Sequence, residues 1–318
     1  MQKIGKDITK ASTTLGRREA RYLVDTYYMM QRPRIRSGNQ AKAMGDVGEP
    51  NDVTKWLSGQ FGSLEESVAS ALEAYTDSDP LGVWAKSIDG IGPIISAGLL
   101  AYIDVEIAAT AGCVWRFCGL DPTQKWWNEK EADAIIAEVM GDAKGVKPEH
   151  IIECARIADR HPETLEKVRE FVLKKSKWTK SILQSALKMR PWSGALKTLC
   201  WKIGESFVRV KGTKPDSYYS KIYEERHVLE DELNAKGEYR EQALDIAKKK
   251  PNHAQHETYA SGILPLGHIH MRSKRYATKL FLAHYWETGR KLKGLPVPAP
   301  YPIAFLGHAH KIEPPNQS

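Results

Sequence analysis

"SIDGIGPIISAGLLAYID", residues 87–104, places two glycines around Ile91, follows them with Pro93, and runs without a charge from Gly90 to Asp104. Apolar, helix-compatible residues lie on both sides, so the stretch predicts two short helices joined by a sharp corner. Gly90 and Gly92 let the chain turn tightly and let a ligand approach the main chain. Ile88 and Ile91 pin the turn into the core, and Pro93 suits a first helical turn, where its missing N–H costs little. Ala97 and Gly98 allow close helix packing. Two readings follow: a structural corner, or a helix-hairpin-helix whose amides at Gly90, Ile91 and Gly92 hold a nucleic-acid phosphate, aided by the helix dipole.

The chain of 318 residues is long enough for two or three domains. Hydrophobic residues at 42% and charged residues at 27% fit a globular protein and exclude a disordered one. No apolar run reaches the roughly 18–20 residues of a membrane span, and the first 20 residues lack the apolar stretch of a secretory signal. Four cysteines without CxxC spacing fit small buried thiols in a reduced, cytoplasmic setting. Charge is segregated: +7 over residues 1–44, −13 over 45–166, +11 over 167–214 and +6 over 261–294, with +8 overall. Basic blocks of this kind fit a polyanion, because lysine and arginine gain affinity by releasing condensed counterions. The 87–104 corner, however, lies in the acidic block with Asp89 beside Gly90. Strong binding there requires basic segments from elsewhere to fold against it.

Apolar residues at three-to-four spacing predict an all-α fold. The expected organisation is an N-terminal helical spacer (1–80), a helix-hairpin-helix module (81–128), an inserted helical region (129–260), and a basic helix with a His/Pro-rich tail (261–318). Pro33 is expected to break the first long helix, residues 37–52 to form a linker, and residues 216–250 to form one long charged helix capable of self-association. Residues 189–212 and 271–294 share an initial MR and a final KG, which fits either two related helical units or chance.

The combination of "IDGIGPIISAGLLAYID" with "VWRFCGLDP" (114–122) resembles the C-terminal half of the IS-one-ten group of insertion-sequence transposases and DNA invertases. In that group a GIGP hairpin leads to an aromatic-Gly-Leu-x-Pro motif, then to a Ser-Gly pair and a basic helix. "SGILPLGHIHMRSKRYATKLFLA" (261–283) looks like the last element. The resemblance implies DNA as partner, with structured or guide RNA possible, and DNA strand transfer through Ser261 as nucleophile. Two departures stand out. The RuvC-like half with its metal-binding carboxylates has no counterpart in residues 1–80, and about 140 residues separate GLDP from Ser261. The metal-dependent half of the chemistry is then absent or supplied by another chain.

A serine nucleophile needs a base or cations around the charged phosphoryl centre. Arg272, Lys274, Arg275 and Lys279 follow Ser261 closely and are expected to contact nucleic acid, with Arg272, Arg275 and Lys279 on one helical face. Ser261 also reads as a turn serine ahead of glycine, and Ser193 is a second candidate. His268 with His270 and His308 with His310 form two HxH pairs; on extended backbone each pair shares a face, as a zinc or manganese site requires. Trp126, Trp127, Tyr218 and Tyr219 read either as core aromatics or as base-stacking groups. The leading expectation is a nucleic-acid-binding, transposase-related protein. The alternatives are a metal-dependent nuclease or phosphodiesterase built on the C-terminal histidines, and a non-catalytic protein-interaction scaffold.

Overall fold

The computed structural model describes residues 5–300, 303–304, 307 and 309–316. The fold is all-α, with no strand among the described residues. The chain forms two compact units, one of Met1–Trp115 and Thr198–Ser318, the other of Arg116–Lys197. In chain order the helices are α1 (Lys6–Ser12), α2 (Arg17–Asp46), α3 (Asp52–Asp77), α4 (Pro80–Lys86), α5 (Pro93–Tyr102) and α6 (Ala111–Phe117). The series continues with α7 (Glu129–Met140), α8 (Pro148–Ile157), α9 (Pro162–Lys167) and α10 (Lys180–Lys188). It ends with α11 (Gly194–Val210), α12 (Tyr218–Ala235), α13 (Arg240–Lys249), α14 (His256–Ala260) and α15 (Leu266–Leu292).

In the first unit α2 and α3 pack along each other, and α5 lies against both. Val24, Leu72, Ile94 and Ala97 form the shared contact. Two expectations are corrected here. Helix α2 runs through Pro33 and absorbs the expected linker up to Asp46, because Ala20 and Val24 before the proline and Ser37 and Ala41 after it are all buried. That burial, with the Arg34–Glu65 ion pair at 2.6 Å, outweighs the roughly 3 kcal/mol a mid-helix proline costs. The expected single helix over 216–250 is two, α12 and α13, divided at Gly237, whose φ of +83° ends the first.

A second packing centre joins α11, α12 and α15. Phe207 stacks on Tyr219 at 4.8 Å, and Phe281 meets Tyr219 edge-on at 5.3 Å. Helix α11 also comes close to α5: a Cβ on Gly98 would lie 2.7 Å from Leu199 Cδ2. The C-terminal segment crosses this unit, accepting hydrogen bonds at the Ile312 carbonyl from His284 (2.9 Å), at Glu313 from Tyr218 (2.8 Å) and at Pro315 from Trp84 (3.1 Å). His284 Nε2 donates to that carbonyl and its Nδ1 meets Tyr219 Oη at 2.7 Å, so each nitrogen of the buried ring has a hydrogen-bond partner.

The second unit encloses its own core, with Ile135, Ile136, Leu165, Leu183 and Leu187 among its buried side chains. Asn128 and Glu131 cap α7 reciprocally. Trp127 Nε1 donates to the Ala158 carbonyl at 3.0 Å, tying the segment before α7 to the end of α8.

Burial lowers the pKa of His284, outweighing the pull of Glu287, Glu313 and the Ile312 bond, and it lowers those of His268 and His270. Unfolded histidine takes up a proton below about pH 6.5, while the folded rings resist until lower pH. Stability is therefore full above that value and falls as the pH drops through it, by at most about 1.4 kcal/mol per pH unit for each ring. Urea unfolding between pH 8 and pH 5 is expected to show this slope, and His284→Gln to flatten it by about one proton; an unchanged slope contradicts the assignment.

Candidate nucleic-acid interface

Between α4 and α5 the chain turns through Ser87–Gly92. Ile91 N donates to the Ile88 carbonyl at 2.9 Å, and both isoleucine side chains are buried. The Ile91 side chain thus pins the turn, while its N–H, expected to meet a phosphate, is bonded to the Ile88 carbonyl instead. Gly90 adopts φ +89°, and a Cβ there would lie 2.9 Å from Ser206 Oγ. Ser206 Oγ donates to the Gly90 carbonyl at 2.5 Å. Gly92, by contrast, is exposed, caps α5 without a side chain, and has nothing within 4 Å of an added Cβ. Among the described residues, the N–H groups of Gly92, Ile94 and Ile95 have no acceptor, and Pro93 has no N–H. These are the orphan donors of a helix start, with Gly92 leaving the approach open.

The cations that the acidic 45–166 block lacks come from α2 and α11. Lys202, Ser206 and Arg209 share one face of α11 at four- and three-residue spacing, so the contact at Gly90 is flanked by a cation one turn away on each side. The Lys202 ammonium lies 3.8 Å from the Tyr28 ring centroid. Burial, followed by repulsion from Arg32 and Arg209, lowers its pKa below the ordinary lysine value. Arg32 and Arg209 are thus near enough to Lys202 for their charges to act on it. None of the three has an acidic partner among the described residues. Asp89, the one acid in the turn, is neutralised by Lys214 Nζ at 2.5 Å. A shallow groove on α2, lined by Arg32, Ile35, Arg36, Asn39, Gln40 and Ala43, extends the basic surface.

The basic stretch of α15 is arranged differently from its expected role. Arg272 donates to Glu230 at 2.6 Å and covers the Tyr239 ring at 4.1 Å. Lys274 is buried against Glu205, and Lys279 Nζ lies 4.3 Å from the Trp115 ring centroid. Of the four, Arg275 is the exposed one for which no such contact is seen. Charge spacing found the helix but not the acids and rings its long side chains meet.

Ser261 is exposed at the end of α14, and its Oγ donates to the Thr258 carbonyl at 2.8 Å. The cation beside it is one the sequence did not suggest: an added Cβ on Gly262 would lie 3.1 Å from an Arg240 guanidinium nitrogen. Ser193 Oγ accepts from Leu196 N at 3.2 Å, a helix cap. His268 and His270 lie within α15, not on extended backbone, so two residues of helix turn their rings about 200° apart. His268 instead meets Tyr259 Oη at 3.3 Å and His270 meets Tyr223 Oη at 2.7 Å. His310 is exposed, and His308 lies outside the described residues. Among the described residues no three His, Cys, Asp or Glu side chains gather as a metal site. Tyr219 is core, while Trp126 is partly exposed under Arg190 at 4.9 Å.

Comparison with known proteins returns no matching family model, no matching curated protein and no matching solved structure.

Gly90→Ala adds a methyl in a left-handed conformation and drives it against Ser206. It is expected to cost about 1–3 kcal/mol in urea unfolding, whereas Gly92→Ala, facing open space, is expected to fall within about 0.5 kcal/mol of wild type. Equal effects at the two glycines would contradict the described turn.

Proposed function

We propose that this chain binds nucleic acid, DNA foremost, with the α4–α5 corner acting as a helix-hairpin-helix. The observation that carries the reading is the meeting of two features. Three unsatisfied amides open α5 at an exposed glycine, and an acid-free cluster of Arg32, Lys202 and Arg209 belongs to the helices packed around them. A phosphodiester satisfies both, accepting from the amides and the helix dipole while relieving repulsion among the cations. A neutral acceptor could bond the amides but would leave the repulsion among the cations in place.

The resemblance to the IS-one-ten group agrees with this reading and adds strand transfer by Ser261 as a further proposal. Geometry favours binding over chemistry at that position. The Ser261 hydroxyl bonds a main-chain carbonyl, and no carboxylate or imidazole is bonded to it among the described residues. Arg240 is the group that would stand beside a phosphate there.

A mobility-shift series on duplex and branched DNA at two salt concentrations tests the proposal. Affinity is expected to fall steeply with salt, and the double variant K202E/R209E to lose at least tenfold in affinity and about two units of log–log salt slope. Salt-insensitive binding, or an unchanged double variant, would refute the reading.

A further inference from the structure

The second unit presents a basic tip that the α4–α5 corner does not explain. Helix α9 runs directly into one π-helical turn, Val168–Val172, a geometry that often marks functional positions. Phe171 and Val172 project from it 74% and 55% exposed. Around them Lys167, Lys174, Lys175, Lys177 and Lys180 are all exposed, and none has an acidic partner among the described residues. The one acid between 167 and 180, Glu170, is taken by Arg169 at 2.8 Å.

The tip is held firmly. Arg169 donates to Glu166 at 2.9 Å and, through its other terminal nitrogen, to the carbonyls of Lys175 (2.8 Å) and Ser176 (2.7 Å). Trp178 Nε1 donates to Glu166 at 2.8 Å, and Val168, Leu173 and Trp178 pack onto the unit's core. Arg169, Trp178, Val168 and Leu173 fix the loop, and the Phe171 ring stays outside with lysines before and after it in the chain.

We infer that this tip is a binding site for an unpaired nucleic-acid strand. The Phe171 face stacks on a base, and Lys167 on one side with Lys174, Lys175 and Lys177 on the other take the phosphates that flank it. A duplex offers no base face to the ring, so the site discriminates for single strands. A lipid surface would reward several apolar side chains on a yielding loop; here two adjacent ones stand on a pinned one. The inference does not depend on the α4–α5 reading.

Fluorescence anisotropy of the full chain with a labelled pyrimidine oligonucleotide of about 16 nucleotides, and with a matched duplex, tests it. Phe171→Ala is expected to weaken single-strand binding about tenfold and duplex binding less than about twofold, with Phe171→Trp restoring the loss. The variant K174E/K175E/K177E is expected to weaken single-strand binding at least about tenfold and flatten its salt dependence. K202E/R209E should show the reverse preference, so failure at one site is distinguishable from failure at the other. Absence of single-strand binding by the wild type, or Phe171→Ala and the triple variant binding as wild type, overturns the inference. So does Phe171-dependent sedimentation with anionic vesicles while single-strand affinity is unchanged.

Discussion

A single hydroxyl beneath a single glycine sets the geometry on which the proposed interface depends. Ser206 donates to the Gly90 carbonyl, and the space a side chain at position 90 would need is occupied by that serine. The contact fixes α11 against the corner, while the approach of Leu199 to Gly98 fixes it against α5. With two points held, the helix cannot roll. The residues one turn either side of Ser206, Lys202 and Arg209, are then presented on the face that meets the corner. The same positive φ that places the Gly90 carbonyl under Ser206 carries the chain on to Gly92, which is exposed and has open space where a side chain would stand.

This arrangement resolves an electrostatic conflict within the sequence. The corner belongs to a segment of net charge −13, which alone would repel a polyanion. Folding pairs Asp89 with Lys214 and brings Ser206 of α11, with Lys202 and Arg209 one turn away on either side, against the corner. The depressed Lys202 pKa reflects the cost: like charges are held together, partly out of water, without an acid to relieve them. Cations without acidic partners repel one another in the free protein, and an anionic ligand relieves that repulsion.

The helical class and the corner itself were legible because they rest on local chemistry. Periodic apolar residues, Pro93 at a first turn and isoleucines flanking the glycines all act within a few residues. What escaped the sequence depends on contacts across long separations. Ser206 lies 116 residues from Gly90, and nothing local marks Lys202 as a neighbour of Arg32. Pro33 misled because its helix is held by burial on either side of it, which a local penalty does not register. Gly237 was a missed signal of the opposite kind: a glycine after Lys236 in a polar run is a common helix stop, and the charge pattern across it masked it. Charge spacing in α15 says nothing about Glu230, Glu205 and Trp115, which engage three of its cations.

Amide resonances report most directly on the grip of α5. In a nitrogen-15-labelled sample titrated with a short DNA duplex, the account predicts that Gly92, Ile94 and Ile95 shift together and saturate at one affinity, while the Ile91 amide, already bonded to Ile88, moves little. Saturating binding that leaves all three amides where they were would contradict it.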